Sequence, residues 1–230
     1  MNFFQFGRSM RIETMAERKI SPYVVAAMCG CWARESGMNP GIWESLTPVP
    51  WTAVWGEYGD NTGGFGLGQW TNTNGDHQGR LYQLHKWVTE NGYKDGELYG
   101  QLNYIPVENV WHQNSNPLNY TTLNQFLTSD STDLDSLVES FLACWEGVPG
   151  DALELRKGWA HKYYDFIYKN ASKPPSTWKA SGGNYYQDPL GDNAYNNVMC
   201  VYWWAGGVEP EQPTKKKKGM PLWMFLKKQY

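Results

Sequence analysis

Apolar residues recur at three- and four-residue spacing after Ser21-Pro22, with Val24, Val25, Ala27, Met28, Cys31 and Trp32 forming one stripe. The spacing predicts a core helix. Ser21 serves as N-cap, Pro22 stands where the first helical residue has no N–H to lose, and Ser36-Gly37 with Pro40 beyond ends it. Leu81, Leu84, His85 and Val88 predict a second helix stopped by Asn91-Gly92, and Leu98, Leu102 and Ile105 a third interrupted by Pro106. Leu134, Leu137, Val138, Phe141, Leu142 and Trp145 give the cleanest helical period, capped by Asp133 and ended by Gly147 and Pro149. Ala152, Leu155, Trp159, Tyr163, Phe166 and Ile167 give the last. Tyr58 to Thr71 differ: Gly, Asn and Asp broken by single aromatics favour hairpin turns over helix. The chain is therefore expected to be α+β, mostly helical, with a small β-hairpin beside the first helix and a cleft between them.

After Asn170 the pattern changes. Lys173-Pro174-Pro175 breaks the last helix and opens a stretch without clear periodicity that ends in Cys200-Val201-Tyr202-Trp203-Trp204. Glu209-Pro210-Glu211-Gln212-Pro213 reads as a linker, and Lys215 to Lys218 precede Met220-Pro221-Leu222-Trp223-Met224-Phe225-Leu226-Lys227-Lys228. The expected division is a helical domain over 1–170 and an extension over 171–230, with a linker and a basic, apolar attachment tail. That tail is too short to cross a bilayer. Its composition suits docking to a partner protein or contact of residues 215–228 with an anionic membrane surface.

Composition narrows the function. A chain of 230 residues with 41% hydrophobic content can bury one good core. A net charge of -3 lacks the basic field that nucleic-acid binding needs. The first residues, Met1 to Arg8, lack the charged start and apolar run of a secretory signal, and no run of apolar residues is long enough to span a membrane. Thirteen Trp and 15 Tyr exceed what one core uses, which leaves rings for sugars or partners. Cys29, Cys31, Cys144 and Cys200 form no metal-binding pairs and read as buried free thiols, so neither a metal nor a cofactor is expected.

The candidate chemistry lies in two places. Glu35, in the last turn of the first helix, lies near the negative end of the helix dipole and beside apolar residues, both of which disfavour its ionised form. A general acid needs such a carboxyl. The competing reading is a surface Glu paired with Arg34 or a lysine. Gln69, Trp70 and Thr71 offer an amide, a flat apolar face and a hydroxyl side by side, the groups that sugars engage. Against this stands a glycine-rich turn with a core Trp.

Together, Trp32 to Gly41 and Gly66 to Thr71 resemble the phage tail-type lysozymes, a branch of the lysozyme-like superfamily that cleaves the peptidoglycan glycan strand. Arg80, Gln101-Leu102-Asn103-Tyr104-Ile105, Phe141 to Pro149 with Trp145-Glu146, and Arg156, Ala160 and Tyr163 extend the resemblance, which covers residues from about 10 to 168. It implies a lysozyme-like fold over 1–170, Glu35 as catalytic acid, and Gln69, Trp70 and Tyr104 lining the cleft. The segment Trp43 to Trp55 departs from shorter members as an insertion at the cleft rim. For the second carboxylate, Asp60 and Glu57 in the expected hairpin are the candidates, with Glu44 and Asp76 behind them. Peptidoglycan is the implied partner, with other tail proteins reached through the C-terminal tail, and the implied location is the virion or release at lysis. Three readings stay open: a muramidase, a lytic transglycosylase using the same Glu, and a catalytically silent tail or wall-binding protein. A Cys-His amidase is disfavoured, because Cys200 would need a downstream His and His77, His85, His112 and His161 all precede it.

Overall fold

A computed structural model describes residues 19–44, 63–72, 79–183 and 187–207. Among them are seven α-helices: α1 (Pro22–Ser36), α2 (Arg80–Glu90), α3 (Leu98–Glu108), α4 (Leu123–Leu127), α5 (Leu134–Phe141), α6 (Leu153–Asn170) and α7 (Asp192–Trp204). No described helix is long and apolar enough to cross a membrane.

The first helix forms as its sequence predicts. Ser21 Oγ accepts from the Val24 N–H at 3.2 Å, and Gly37, at φ 61°, donates its N–H to Ala33. A Cβ on Gly37 would stand 2.1 Å from the Gln187 carbonyl oxygen, so both the turn and the packing require glycine there. Yet α1 has no solvent face along most of its length: Val24 through Ala33 are all buried. It is the central helix, enclosed by α5, α6 and α7.

The approach of α6 is the closest. A Cβ on Gly30 would meet Ala160 Cβ and the Arg156 carbonyl at 2.7 Å, so the glycine sets the helix spacing that places Arg156 beside the end of α1. Replacing Gly30 by Ala is expected to destabilise the protein by about 1–3 kcal/mol, because two packed helices must separate. Urea unfolding measures it, and an unchanged midpoint would show that the crossing yields.

Four features differ from the sequence expectation. Among the described residues the hairpin is absent and only two isolated antiparallel bridges occur, Trp43 with Phe65 and Phe65 with Trp70. The chain turns back within one residue pair, and nearby backbone groups bond instead to the buried Gln101 side chain. Its Oε1 accepts from Leu67 N–H at 2.9 Å, while its Nε2 donates to Pro40 and Asp95 carbonyls at 2.6 and 2.7 Å.

Pro106 does not interrupt α3. It falls in the last turn, where its missing N–H forfeits a single ladder bond, and the helix runs on to Glu108 before Asn109 turns left-handed at φ 49°. The helix expected to reach Trp145 is α-helical only to Phe141, and Leu142–Glu146 form a π-helical turn closed by Gly147 at φ 76°. That wider turn lets Trp145 stack on Phe141, with centroids 4.9 Å apart, while meeting Trp32 and Trp70 edge-on.

The fourth difference is α7. Its consecutive apolar run, Val198 to Tyr202, shows no helical period because the helix is buried on most sides, against α1, α3 and α6. Lying past residue 170, it shares their core. Asn197 ties it down by donating to the Met38 and Ser181 carbonyls at 2.7 and 2.6 Å, and the Ile20 N–H donates to the Ala205 carbonyl at 3.0 Å. The tail at 215–228 lies outside the described residues.

Candidate active site

Glu35 occupies the last turn of α1 with its side chain 22% exposed, and the guanidinium of Arg156 lies against it. Arg156 comes from α6 and is 1% exposed. Its Nη2 donates to Glu35 Oε1 at 2.5 Å and to Asp151 Oδ2 at 2.7 Å, its Nη1 to the Cys31 carbonyl at 2.8 Å, and its Nε to the Asp151 carbonyl at 2.9 Å. A buried cation is tolerable because each of its three nitrogens meets an acceptor and two of the four bonds go to carboxylates. The partner of Glu35 is thus neither Arg34 nor a lysine, and the apolar surroundings expected from the sequence hold a buried positive charge. The same guanidinium, bonding the exposed Asp151, holds that carboxyl below its ordinary value.

Glu146 ends the π-helical turn nearby. It is half-buried, but its Oε1 is sealed from solvent and has no hydrogen-bond partner. Burial pushes its carboxyl well above the ordinary range, the negative charges of Glu35 and Glu108 add to the effect, and Arg156 and Arg80 oppose it. On the far side, Arg80 at the start of α2 makes a two-bond pair with Glu108 at the end of α3, Nε to Oε1 at 2.7 Å and Nη2 to Oε2 at 3.1 Å. Glu108 also accepts from the Trp70 indole at 3.1 Å, and Arg80 lies 4.9 Å above the Trp145 ring.

The sugar-facing candidates divide. Trp70 is fully buried, flanked by Tyr104 and Trp145, so its ring supports the site as a core residue and its indole orients Glu108. Gln69 sits in a left-handed conformation at φ 46° and donates Nε2 to the Gly66 carbonyl at 2.9 Å, which leaves a sealed Oε1 without a partner. Thr71 is exposed. Tyr104 borders an open cleft of about 410 Å³ between α2 and α3, with Arg80, Gln83, Trp87 and Glu108 on its walls. Glu44 accepts the Gly64 N–H at 2.9 Å and serves the turn. Asp60, Glu57 and Asp76 lie outside the described residues.

The fold therefore draws together Glu35, Glu146, Arg156, Arg80 and Glu108, of which sequence reasoning selected Glu35 as catalytic. One signal for Arg156 was available. The buried face of α6 includes Arg156, Ala160, Tyr163 and Ile167: Tyr163 and Ile167 belong to the expected stripe, but in the first half of the helix Arg156 and Ala160 take the places expected for Leu155 and Trp159, and Leu155 is 50% exposed. An arginine in line with such a face is a buried charge in search of an acid. Glu146 gave no comparable signal, because its depth depends on the π-helical turn.

The sequence profile of the phage tail lysozyme family matches residues 11–167, and the chain belongs to that family. It is also similar to Morphogenesis protein 1 of Bacillus phage B103, with 27% identity over 144 residues, which cover 61% of this chain and 33% of that protein. The match thus takes in about a third of the relative's length.

Proposed function

We propose that this chain cleaves the glycan strand of peptidoglycan as a muramidase carried on a phage tail or released at lysis, with Glu35 delivering the proton. The observation that carries the reading is the position of Glu35: a partly exposed carboxyl at the end of the central helix, held in one orientation by a buried arginine. Proton transfer to the glycosidic oxygen lets the C1–O bond break with its electron pair on the departing oxygen, and water then adds to C1. Fixing the carboxyl in advance removes the entropy of finding that geometry. The exposed Thr71 hydroxyl suits a sugar hydroxyl, and Tyr104 with Trp87 gives the α2–α3 cleft an aromatic wall for a sugar ring. Asp60 and Glu57 remain candidates for stabilising the charge that develops on the ring.

A lytic transglycosylase is the second reading, favoured by one observation. Of the other described carboxylates of the site, Asp151 and Glu108 are each bonded to an arginine and Glu146 has its Oε1 sealed from solvent, which suits a reaction run through one exposed acid. There the strand's own C6 hydroxyl attacks C1. Incubation with purified peptidoglycan and mass spectrometry of the soluble fragments decides the matter. Reducing ends are expected, anhydro ends would make the enzyme a transglycosylase, and no fragments from folded protein would leave a silent wall-binding protein.

A further inference from the structure

A general acid that rests bonded to a guanidinium leaves a question of where its proton is kept. Glu35 is in that position, and Glu146, whose chain neighbour Trp145 packs edge-on against Trp32 of the Glu35 helix, has a sealed, partnerless oxygen. We propose that Glu146 is the second carboxyl of the lytic site, and that it and Glu35 work as a pair sharing one proton, Glu146 holding it at rest and Glu35 facing the substrate. This inference rests on the reading of Glu35 as the lytic carboxyl.

The surroundings of Glu146 account for its protonation. Arg156 is committed to Glu35 and Asp151, and Arg80 to Glu108, so neither guanidinium bonds Glu146. A carboxyl withdrawn from water without a counter-ion is far less costly neutral than charged, and burial with the negative charge of Glu35 drives it that way. Two further titratable groups lie near it, and neither bonds it. The Cys31 thiol of α1 is itself pushed up by burial, and the His112 ring, 3.1 Å from where a Cβ on Gly147 would stand, bonds no atom of Glu146. Local structure supports a purpose as well. Glu146 is presented by a π-helical turn, a device common at functional sites. In a purely structural role an amide or an apolar side chain would fill this place at lower cost than a carboxyl with an unmet oxygen.

In the reaction the pair gives one proton to the glycosidic oxygen as the C1–O bond breaks. The group that then attacks C1, water or the C6 hydroxyl, returns its proton to the pair, which ends as it began. As pH rises, Glu146 loses its proton, the pair carries two negative charges and has nothing to donate, so lysis falls on the alkaline side.

Carbon-13 NMR of glutamate-labelled full-length protein, together with pH profiles of peptidoglycan cleavage, tests the pair. One carboxyl resonance is expected to titrate above the ordinary Glu value of about 4.3, to vanish in Glu146→Gln, and to titrate lower in Glu35→Gln, where the like charge is gone. Glu146→Gln is expected to move the alkaline limb of cleavage down by about one pH unit or more, and Glu146→Asp to restore part of it. A Glu146 resonance titrating in the ordinary range overturns the proposal. So does a Glu146→Gln profile lowered equally at every pH, the mark of a structural role. The NMR arm is independent of turnover: if the wild type releases no fragments, the lytic reading fails while the titration still decides whether the two carboxyls are coupled.

Discussion

Glu35→Gln is expected to lower the rate of peptidoglycan cleavage by roughly 10²- to 10⁴-fold, the range that loss of a positioned proton donor produces. The amide is nearly isosteric and its carbonyl can still accept from Arg156 Nη2, so the orientation of the site survives. What is lost is one charge-assisted bond of a side chain that is partly exposed, while Arg156 keeps Asp151 and the Cys31 carbonyl as acceptors. Folding stability should therefore fall by no more than about 1.5–3 kcal/mol. Release of dye from labelled cell walls, measured beside thermal unfolding, separates the two effects. Full activity in a folded variant would remove Glu35 from the mechanism.

Arg156→Ala should act in the opposite proportion, on the fold first. The side chain is 1% exposed and ties the Cys31 carbonyl of α1, the Asp151 loop and Glu35 to one guanidinium. Truncation leaves those acceptors without a donor and a void between α1 and α6. Breaking a buried ionic network by removing one member costs about 3–5 kcal/mol. For a chain of this size that corresponds to a fall in Tm of roughly 6–20 °C. Arg156→Lys should recover little, because a single ammonium cannot reach acceptors spread around a planar fork. Calorimetry of the three proteins checks this, and a Tm for Arg156→Ala within about 2 °C of wild type would mean that the network contributes orientation alone.

The parts of the fold legible in the sequence are those written in local chemistry. Ser21, Pro22 and Gly37 bound α1 because capping and left-handed turns depend on the residue at one position. Asp133 caps α5 by accepting the Ser136 N–H for the same reason. The parts that were not legible depend on what lies across the core. Buried on most sides, α7 shows no polar face to give it a period. Whether Phe65 to Trp70 becomes a hairpin is decided by a glutamine on another helix, Gln101, which takes the Leu67 N–H at the turn. The site divides in the same way. The helix end marks Glu35, whereas its pairing with Arg156 spans 121 positions of the chain and no local pattern encodes it.

The bond between Ile20 and Ala205 has a mechanical meaning. The described core begins and ends at one spot, at the base of the central helix, so this body is built like a cassette whose two described ends are bonded to each other. Such a body can be spliced into a longer protein by opening one short gap, and the match that takes in only a third of its relative's length fits that use. A pull applied at residues 19 and 207 would load the Ile20–Ala205 junction first, at the opposite end of the central helix from Glu35.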